Sequence, residues 1–491
     1  MICANELNCV HAYNTLAQCY ENGIGTVKND QLAYEWYARA AETTQDAEAF
    51  YRIAQMYSQG RISTESTQNK DMEACKFYNL AVNATTENHG PSCYQLGLYY
   101  LKGIPSPLNN NSFLLPPDIC LSIEYLRTAA DLNVQEAMLQ LGVLFLNDDY
   151  TLEEQEEGLS RLQLAAQLGL REAQFELGLF YHRGKEVIVS NKHNDDDDEE
   201  EEEEEEVEVK EEQVGVAVNF DDLDDDDQER EDEECVIIPQ DFEKAYDLFC
   251  RSAVQKHPTA TFYLGIYHQH GIFVAPDLSI ALEQFEIAVE LFEKYHTAPD
   301  RWQAEFNLAR ILHYDLESRA HAYELFQSAH LHAPQEYKFL SEIMIARYHL
   351  HGWADVTLQT EEAAATLIRF AQEERYGYRV YLQVGHCFEY GLGVEKNLRQ
   401  AFHWYGEVVS KAHLIDQQQS QEILPMMLLD EEIEEDEASA MFKLAEFYRQ
   451  GIVVSQDTKK ADDLYRLAAR KGSQAAQDYL SFMLQKTNLY D

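Results

Sequence analysis

At 491 residues, 45% of them apolar, the chain is too long for one ordinary globular core, so several domains or a repeat array are expected. Its formal charge of −50 disfavours nucleic acid and anionic membrane surfaces as direct ligands, because each must be met by clustered Lys and Arg. Nine cysteines without any CxxC spacing read as reduced thiols, which points to the cytoplasm, or the nucleus, rather than to secretion.

The first residues, MICANELNCV, hold neither a basic stretch nor an apolar core, so no signal peptide is expected. From there the chain repeats itself. Leu16-Ala17 is followed, six residues after the alanine, by Gly23. The same step joins Ala54 to Gly60, Gly97 to Gly103, Gly142 to Asp148, Gly178 to Gly184 and Gly265 to Gly271. It recurs from Ala309 to Asp315, Ala346 to Gly352, Gly385 to Gly391 and Ala445 to Gly451. Each small residue reads as the anchor of a first helix, and each following Gly as its left-handed C-terminal cap. The two Asp residues are expected to take the same left-handed conformation, which Asp tolerates better than most side chains.

A second helix follows every cap, marked by a small residue and a bulky one four positions on. These pairs are Ala33/Tyr37, Ala74/Tyr78, Ser122/Leu126, Gly158/Leu162, Ala245/Phe249, Ala281/Phe285, Ala322/Phe326, Ala364/Ile368, Ala401/Tyr405 and Ala461/Tyr465. Such positions share one helical face, so the small residues let two helices approach while the bulky one fills the groove between them. A pair cannot bury these faces alone. The pairs must stack, which gives an all-α solenoid of about ten helix-pair repeats. Leu480-Ser481 reads as a lone capping helix at the C-terminal end.

The spacing also locates the interruptions. First anchor to second anchor is 16 residues in repeats 1, 4, 6, 9 and 10, but 67 in repeat 5. The expected organisation is therefore residues 1–184 (repeats 1 to 4 and half of 5), an acidic insert at 185–238, and residues 239–412 (the rest of 5 to repeat 9). A second insert at 413–437 and residues 438–491 (repeat 10 and the cap) complete it.

The first insert holds 27 acidic and four basic residues, with twelve consecutive carboxylates from Asp195 to Glu206, and such blocks repel themselves into disorder. It is either a solvating loop or an arm for a basic partner. Val187-Ile-Val189 and Val236-Ile-Ile238 border it, either as strand-forming recognition segments or, preferably, as ordinary apolar turn positions. The second insert joins the apolar run Ile423 to Leu429 to an acidic block and is either a docking element or an extra helix. That run is the longest apolar stretch and is far too short to cross a bilayer, so no membrane insertion is expected.

Chemistry-bearing motifs are sparse. Gly23-Ile-Gly25 and Gly391-Leu-Gly393 follow helices instead of linking a strand to a helix, so they are turns and not phosphate loops. The pairs His268/His270, His330/His332 and His349/His351 point to opposing sides of a helix and lack any accompanying ligand spacing, so no metal site is expected. With no nucleophile elbow either, no cofactor and no enzymatic activity are expected.

The stretch from Leu16 to Ala41, LAQCYENGIGTVKNDQLAYEWYARAA, follows the pattern A-x-x-x-L-G-x-x-Y-x-x-G-x-G-V and then D-x-x-x-A-x-x-W-Y-x-x-A-A. It recurs in Val384 to Tyr405 and in Leu444 to Ala469. This resembles the Sel-one-like repeat (SLR) family, a branch of the tetratricopeptide-like α-solenoids. Repeats 4 and 7 depart from the pattern, with Asp at the cap and no Gly-x-Gly turn. The resemblance implies a scaffold or adaptor that assembles protein complexes. The family includes fungal chitin-synthase regulators, so a regulatory subunit of a separate enzyme is one alternative. An acidic chaperone for basic proteins, resting on the first insert, is another.

With the first-helix anchor as zero, positions −2, +1 and +5 face away from the pair, on what related solenoids present as their concave side. In repeats 1 and 2 they are polar: Thr15, Gln18, Asn22, then Arg52, Gln55, Gln59. Position +1 is apolar in repeats 3 to 6: Leu98, Val143, Leu179 and Ile266. In repeats 7 to 9 it becomes Arg310, Arg347 and His386, joined at +5 by Tyr314, His351 and Tyr390. These six are the expected partner-binding residues, a cationic and aromatic strip suited to acidic or extended peptides. The acidic arm is expected to compete for it.

Overall fold

The computed structural model describes residues 10–62, 69–84, 88–106, 109–147, 150–188, 235–238, 240–295, 300–315, 317–373, 380–418 and 430–487. The carboxylate-rich stretch 189–234, Asp148 and the apolar run within 419–429 lie outside them.

Two compact units meet in the sequence between His257 and Pro258. The first holds α1 (Val10–Asn22), α2 (Asp30–Thr44), α3 (Ala47–Ser58), α4 (Lys70–Asn83) and α5 (Gly90–Lys102). Then come β1 (Ile104–Ser106), β2 (Asn109–Leu115), α6 (Ile119–Asp131), α7 (Gln135–Phe145), α8 (Leu152–Gln167) and α9 (Arg171–Arg183). β3 (Lys185–Ile188), β4 (Cys235–Ile238) and α10 (Phe242–Val254) complete it. The second unit holds α11 (Pro258–His270), α12 (Leu278–Tyr295), α13 (Arg301–Tyr314), α14 (Arg319–His332) and α15 (Lys338–His351). After a 3-10 turn (Trp353–Asp355) follow α16 (Thr360–Gln372), α17 (Tyr381–Tyr390), α18 (Leu398–Gln418), α19 (Asp430–Gln450), α20 (Thr458–Arg470) and α21 (Gln474–Thr487). Each unit is a stack of antiparallel-reading helix pairs in which successive helices pack on one another. The solenoid is all-α except for two two-stranded ladders among the described residues.

The pairs close as the small-residue spacing demands. A Cβ added to Gly97, Gly142, Gly178, Gly265 or Gly385 would lie 2.4–2.8 Å from Leu126, Leu162, Phe249, Phe285 or Tyr405 of the same repeat. The anchor is glycine because the partner helix has already filled the space of a side chain. All eight expected Gly caps have φ between 63° and 74°. Asp315 corrects the expectation for repeat 7: it caps α13 with φ −88° and ψ 117°, in the extended region, because its carboxylate instead accepts from Glu317 N and Ser318 Oγ and turns the chain locally. Repeat 8 brings a second correction, since the buried large residue is Leu367, one position before the expected Ile368.

A backbone clasp ties six of the pairs together among the described residues. The N–H four residues before the second-helix anchor donates to the carbonyl three residues after the first-helix anchor. The bonds are Asn29→Tyr20, Asp118→Tyr100, Asp241→Tyr181, Asp277→His268, Asn397→Phe388 and Asp457→Tyr448, all 2.8–3.0 Å. The same Asx side chains then cap the helix they open, as Asp241 Oδ1 does for Lys244 N at 3.0 Å.

The clasp survives interruption. In repeat 3 the turn opens into the β1–β2 hairpin, and in repeat 5 β3 pairs antiparallel with β4, Ile188 opposite Cys235 and Lys185 opposite Ile238. The segments bordering the acidic insert therefore pair with each other. Gly103 (φ 68°, ψ 170°) and Gly184 (φ 68°, ψ 153°) leave their helices into these strands through a region that is essentially glycine's alone. Within the expected second insert, α18 runs on to Gln418 and α19 begins at Asp430, so helix occupies both ends of 413–437.

Candidate binding face

The second helices carry tyrosines whose hydroxyls need partners in the pair interior, and the first helices supply them. Tyr37 donates to Glu21 at 2.8 Å and Tyr405 to Glu389 at 2.6 Å, each carboxylate standing four residues after its anchor. Tyr465 donates to Glu446, with Arg449 Nε at 3.2 Å from the same hydroxyl. Burial and the adjacent carboxylate raise all three phenols far above their ordinary range, so they stay protonated donors. The Tyr37 and Tyr405 contacts lie within their pairs and leave the outer face of those first helices for binding, whereas Glu446 stands at position +1 of repeat 10 and spends that position on the pair.

In the first unit, the apolar +1 residues Val143 and Leu179 line a cavity of about 250 Å³ with Leu146, Leu162, Phe180 and Arg183. In the second unit the expected strip is rearranged. Arg310 is only 7% exposed, because α13 buries ten of its 14 residues between α12 and α14, and it does not belong to an open strip. Beside it in α13, Glu305 is buried and satisfied by Arg301 Nε at 2.7 Å, Ser328 Oγ at 2.8 Å and His332 Nδ1 at 3.0 Å. His386 is also not the cation expected. Burial above all, aided by Lys443, pushes its imidazole down to about 4, so it is neutral at pH 7.

Arg347, His351, Tyr314 and Tyr390 do reach the surface. Tyr314 is 67% and Tyr390 55% exposed at the same position of repeats 7 and 9. Tyr390 accepts from Lys443 Nζ, which also pairs with Glu389 at 3.1 Å. The ring of His386 lies 5.9 Å from Tyr390, and Arg347 and His351 are near enough to act on its charge.

The centre of the face is a residue that repeat spacing did not single out. Trp353 follows the Gly352 cap in a short turn held by left-handed Ala354 (φ 57°) and Asp355 (φ 56°). His351 stacks on its indole at 4.5 Å and 21°, and His313 and Tyr348 contact it at 4.9 and 5.6 Å. Arg319 Cζ lies 5.1 Å and Arg347 Cζ 6.0 Å from the ring centre. The signal in the sequence is an aromatic residue directly after a cap glycine, where the other cap glycines are followed by Ile, Leu, Arg or Lys.

The Sel1 repeat model matches residues 10–42, 90–134, 135–170, 171–193, 236–257, 258–294, 380–407 and 438–473. The intervening segments include α3–α4 and α13–α16, which fold as helix pairs all the same. The chain is similar in structure to a protective antigen of uropathogenic Escherichia coli strains that displays an SLR fold, at 17% identity and TM-score 0.54, over 99% of this chain and 81% of that one. A Sel1 repeat protein from Oxalobacter formigenes aligns at 18% identity and TM-score 0.39, over 57% of this chain and 85% of that one. No curated protein sequence matches the chain.

Proposed function

We propose that this chain, which belongs to the Sel1 repeat family, is a scaffold that holds partner proteins along its helical repeats and assembles a complex instead of carrying out catalysis. The observation that carries the reading is the pair of large aromatics, Tyr314 and Tyr390, held in solvent at one repeat position while the rest of each first helix is spent on burial. Tyr is a preferred anchor residue of protein interfaces, because its ring buries large area at small entropic cost and its hydroxyl fixes orientation. Six cysteines within the described helices carry free thiols, which supports a reducing compartment, the cytoplasm or nucleus. The first insert, net −23 over residues 185–238 and tied at its base by β3 and β4, suits a second, basic partner.

The test is quantitative partner capture with wild type and with Tyr314→Ala/Tyr390→Ala. Truncating two interface anchors is expected to lower partner recovery by about tenfold or more. Equal recovery of the same partners by the variant would remove this face from the proposal.

A further inference from the structure

We propose that Arg319 and Arg347, splayed over Trp353, form a recognition site for side-chain carboxylates of an acidic peptide segment; this deepens the scaffold reading and rests on it. Both guanidinium groups approach one indole, at 5.1 and 6.0 Å from its centre, and both act on the neighbouring Tyr348 hydroxyl. The ring's negative face attracts them and holds two cations together that would otherwise repel. In a chain with 88 acidic residues, neighbouring arginines find carboxylates readily: Arg301 pairs with Glu293 and Glu305, Arg369 with Glu342, and Arg449 with Glu446. Among the described residues Arg319 and Arg347 have no such partner; Arg319 Nε donates to the His313 carbonyl at 3.1 Å and Arg347 Nη1 to Met344 Sδ at 3.4 Å.

The remaining donors of each fork are left for an arriving oxyanion. Both arginines are half-buried and anchored by one nitrogen and the indole, so little side-chain freedom is lost on binding. The charge at the site is two. His351, stacked on the same Trp353 indole, is held below its ordinary range by burial and by Arg347, so it adds no third cation at neutral pH. Two planar forks of single charge match two carboxylates of an extended acidic segment. The exposed Tyr314 ring beside His313 offers the apolar contact for the segment's backbone.

The experiment is fluorescence anisotropy of the full chain with a fluorescein-labelled Asp/Glu-rich peptide, with a Gln/Asn peptide of equal length as the neutral control. Wild type should bind the acidic probe, more weakly as salt rises, and not the neutral one. Arg319→Gln/Arg347→Gln should weaken binding by about tenfold or more. Arg399→Gln/Arg470→Gln, which removes the same charge from exposed positions of the same unit, should stay within about twofold. Arg319→Lys/Arg347→Lys keeps the charge, loses the fork and should be several-fold weaker; helicity and thermal midpoint equal to wild type show that each variant is folded.

Wild-type affinity in the Gln variant overturns the site. An equal loss in the Arg399/Arg470 control reduces it to net charge and overturns it too, as does a phosphoserine peptide that binds far more tightly than the carboxylate probe. Probe binding without capture of any partner protein would sink the scaffold reading and leave the site standing. Capture that persists while the Gln variant binds the probe as wild type does would do the reverse.

Discussion

Repeats 5 and 9 reach the same helix pair through opposite turns. In repeat 9 the chain passes from Gly391 to Asn397 in a tight Gly-Leu-Gly turn, whereas in repeat 5 it leaves at Gly184 into β3 and returns from β4 to Asp241. The clasp is unchanged: Asp241 N–H reaches the Tyr181 carbonyl and Asn397 N–H the Phe388 carbonyl, both at 2.9 Å. The anchors are alike too, with Phe249 over Gly178 and Tyr405 over Gly385. Pair geometry is thus set by the anchor contact and the clasp and is insensitive to what lies in the turn. The two pairs differ inside. Tyr405 has Glu389 as acceptor, while Phe249 faces His182, 1% exposed, whose imidazole burial pushes down to about 4.

Breaking the anchor should have the largest effect. Gly385→Leu, like Gly265→Leu, places a branched side chain where a Cβ alone would meet a ring at 2.4–2.5 Å, and should cost about 3 kcal/mol by over-packing. Urea unfolding reads it directly. Wild-type stability in either variant would show that the glycine–ring contact does not close the pair.

Acid should loosen repeat 5 through His182 by a comparable amount, as it should repeat 9 through His386. His182 is ordinarily half-protonated at 6.5, and the folded protein refuses that proton until about 4. The unfolded chain takes it up first, so the stability linked to His182 is full above pH 6.5 and falls, by about 3 kcal/mol, as pH drops toward 4. His182→Phe should flatten this part of the profile, measured as the difference from wild type at each pH; an unchanged difference would mean His182 titrates normally.

Tyr405→Phe sharpens the comparison from the other side, since it makes repeat 9 resemble repeat 5. Loss of the hydroxyl leaves Glu389 with Lys443 alone and should cost roughly 1–2 kcal/mol, whereas a neutral change would make the phenol–carboxylate bond dispensable.

The smallest effect is expected from replacing 189–234 with Asn-Gly. Ile188 and Cys235 are ladder partners, so a two-residue hairpin turn joins them without moving the clasp. Stability should stay within about 0.5 kcal/mol of wild type, and a large loss would make the insert part of the fold.

Much of this was legible in the residues. The anchors, caps and second-helix pairs mark where helices end and approach, because only Gly, Ala or Ser fits a close contact and only Gly takes the left-handed cap at no cost. Asx residues at the head of second helices, such as Asp118, Asp241 and Asn397, mark the clasp as well. The binding face was less legible. Arg310, Arg347 and His386 share one repeat position, yet one is buried, one is exposed enough to bind and one is neutral.

The sequence by itself determined the repeat architecture, since helix-pair packing is local: each contact joins residues one turn or one hairpin apart, and small-residue spacing encodes it. Which face carries charge was decided only by tertiary structure. Exposure of Arg310 depends on how tightly neighbouring repeats enclose α13, and the charge of His386 on desolvation by residues from other helices. The pairing of Arg319, from the second helix of repeat 7, with Arg347, from the first helix of repeat 8, depends on a turn that folds Trp353 back between them. Those are sums over groups distant in the chain, and no spacing rule records them.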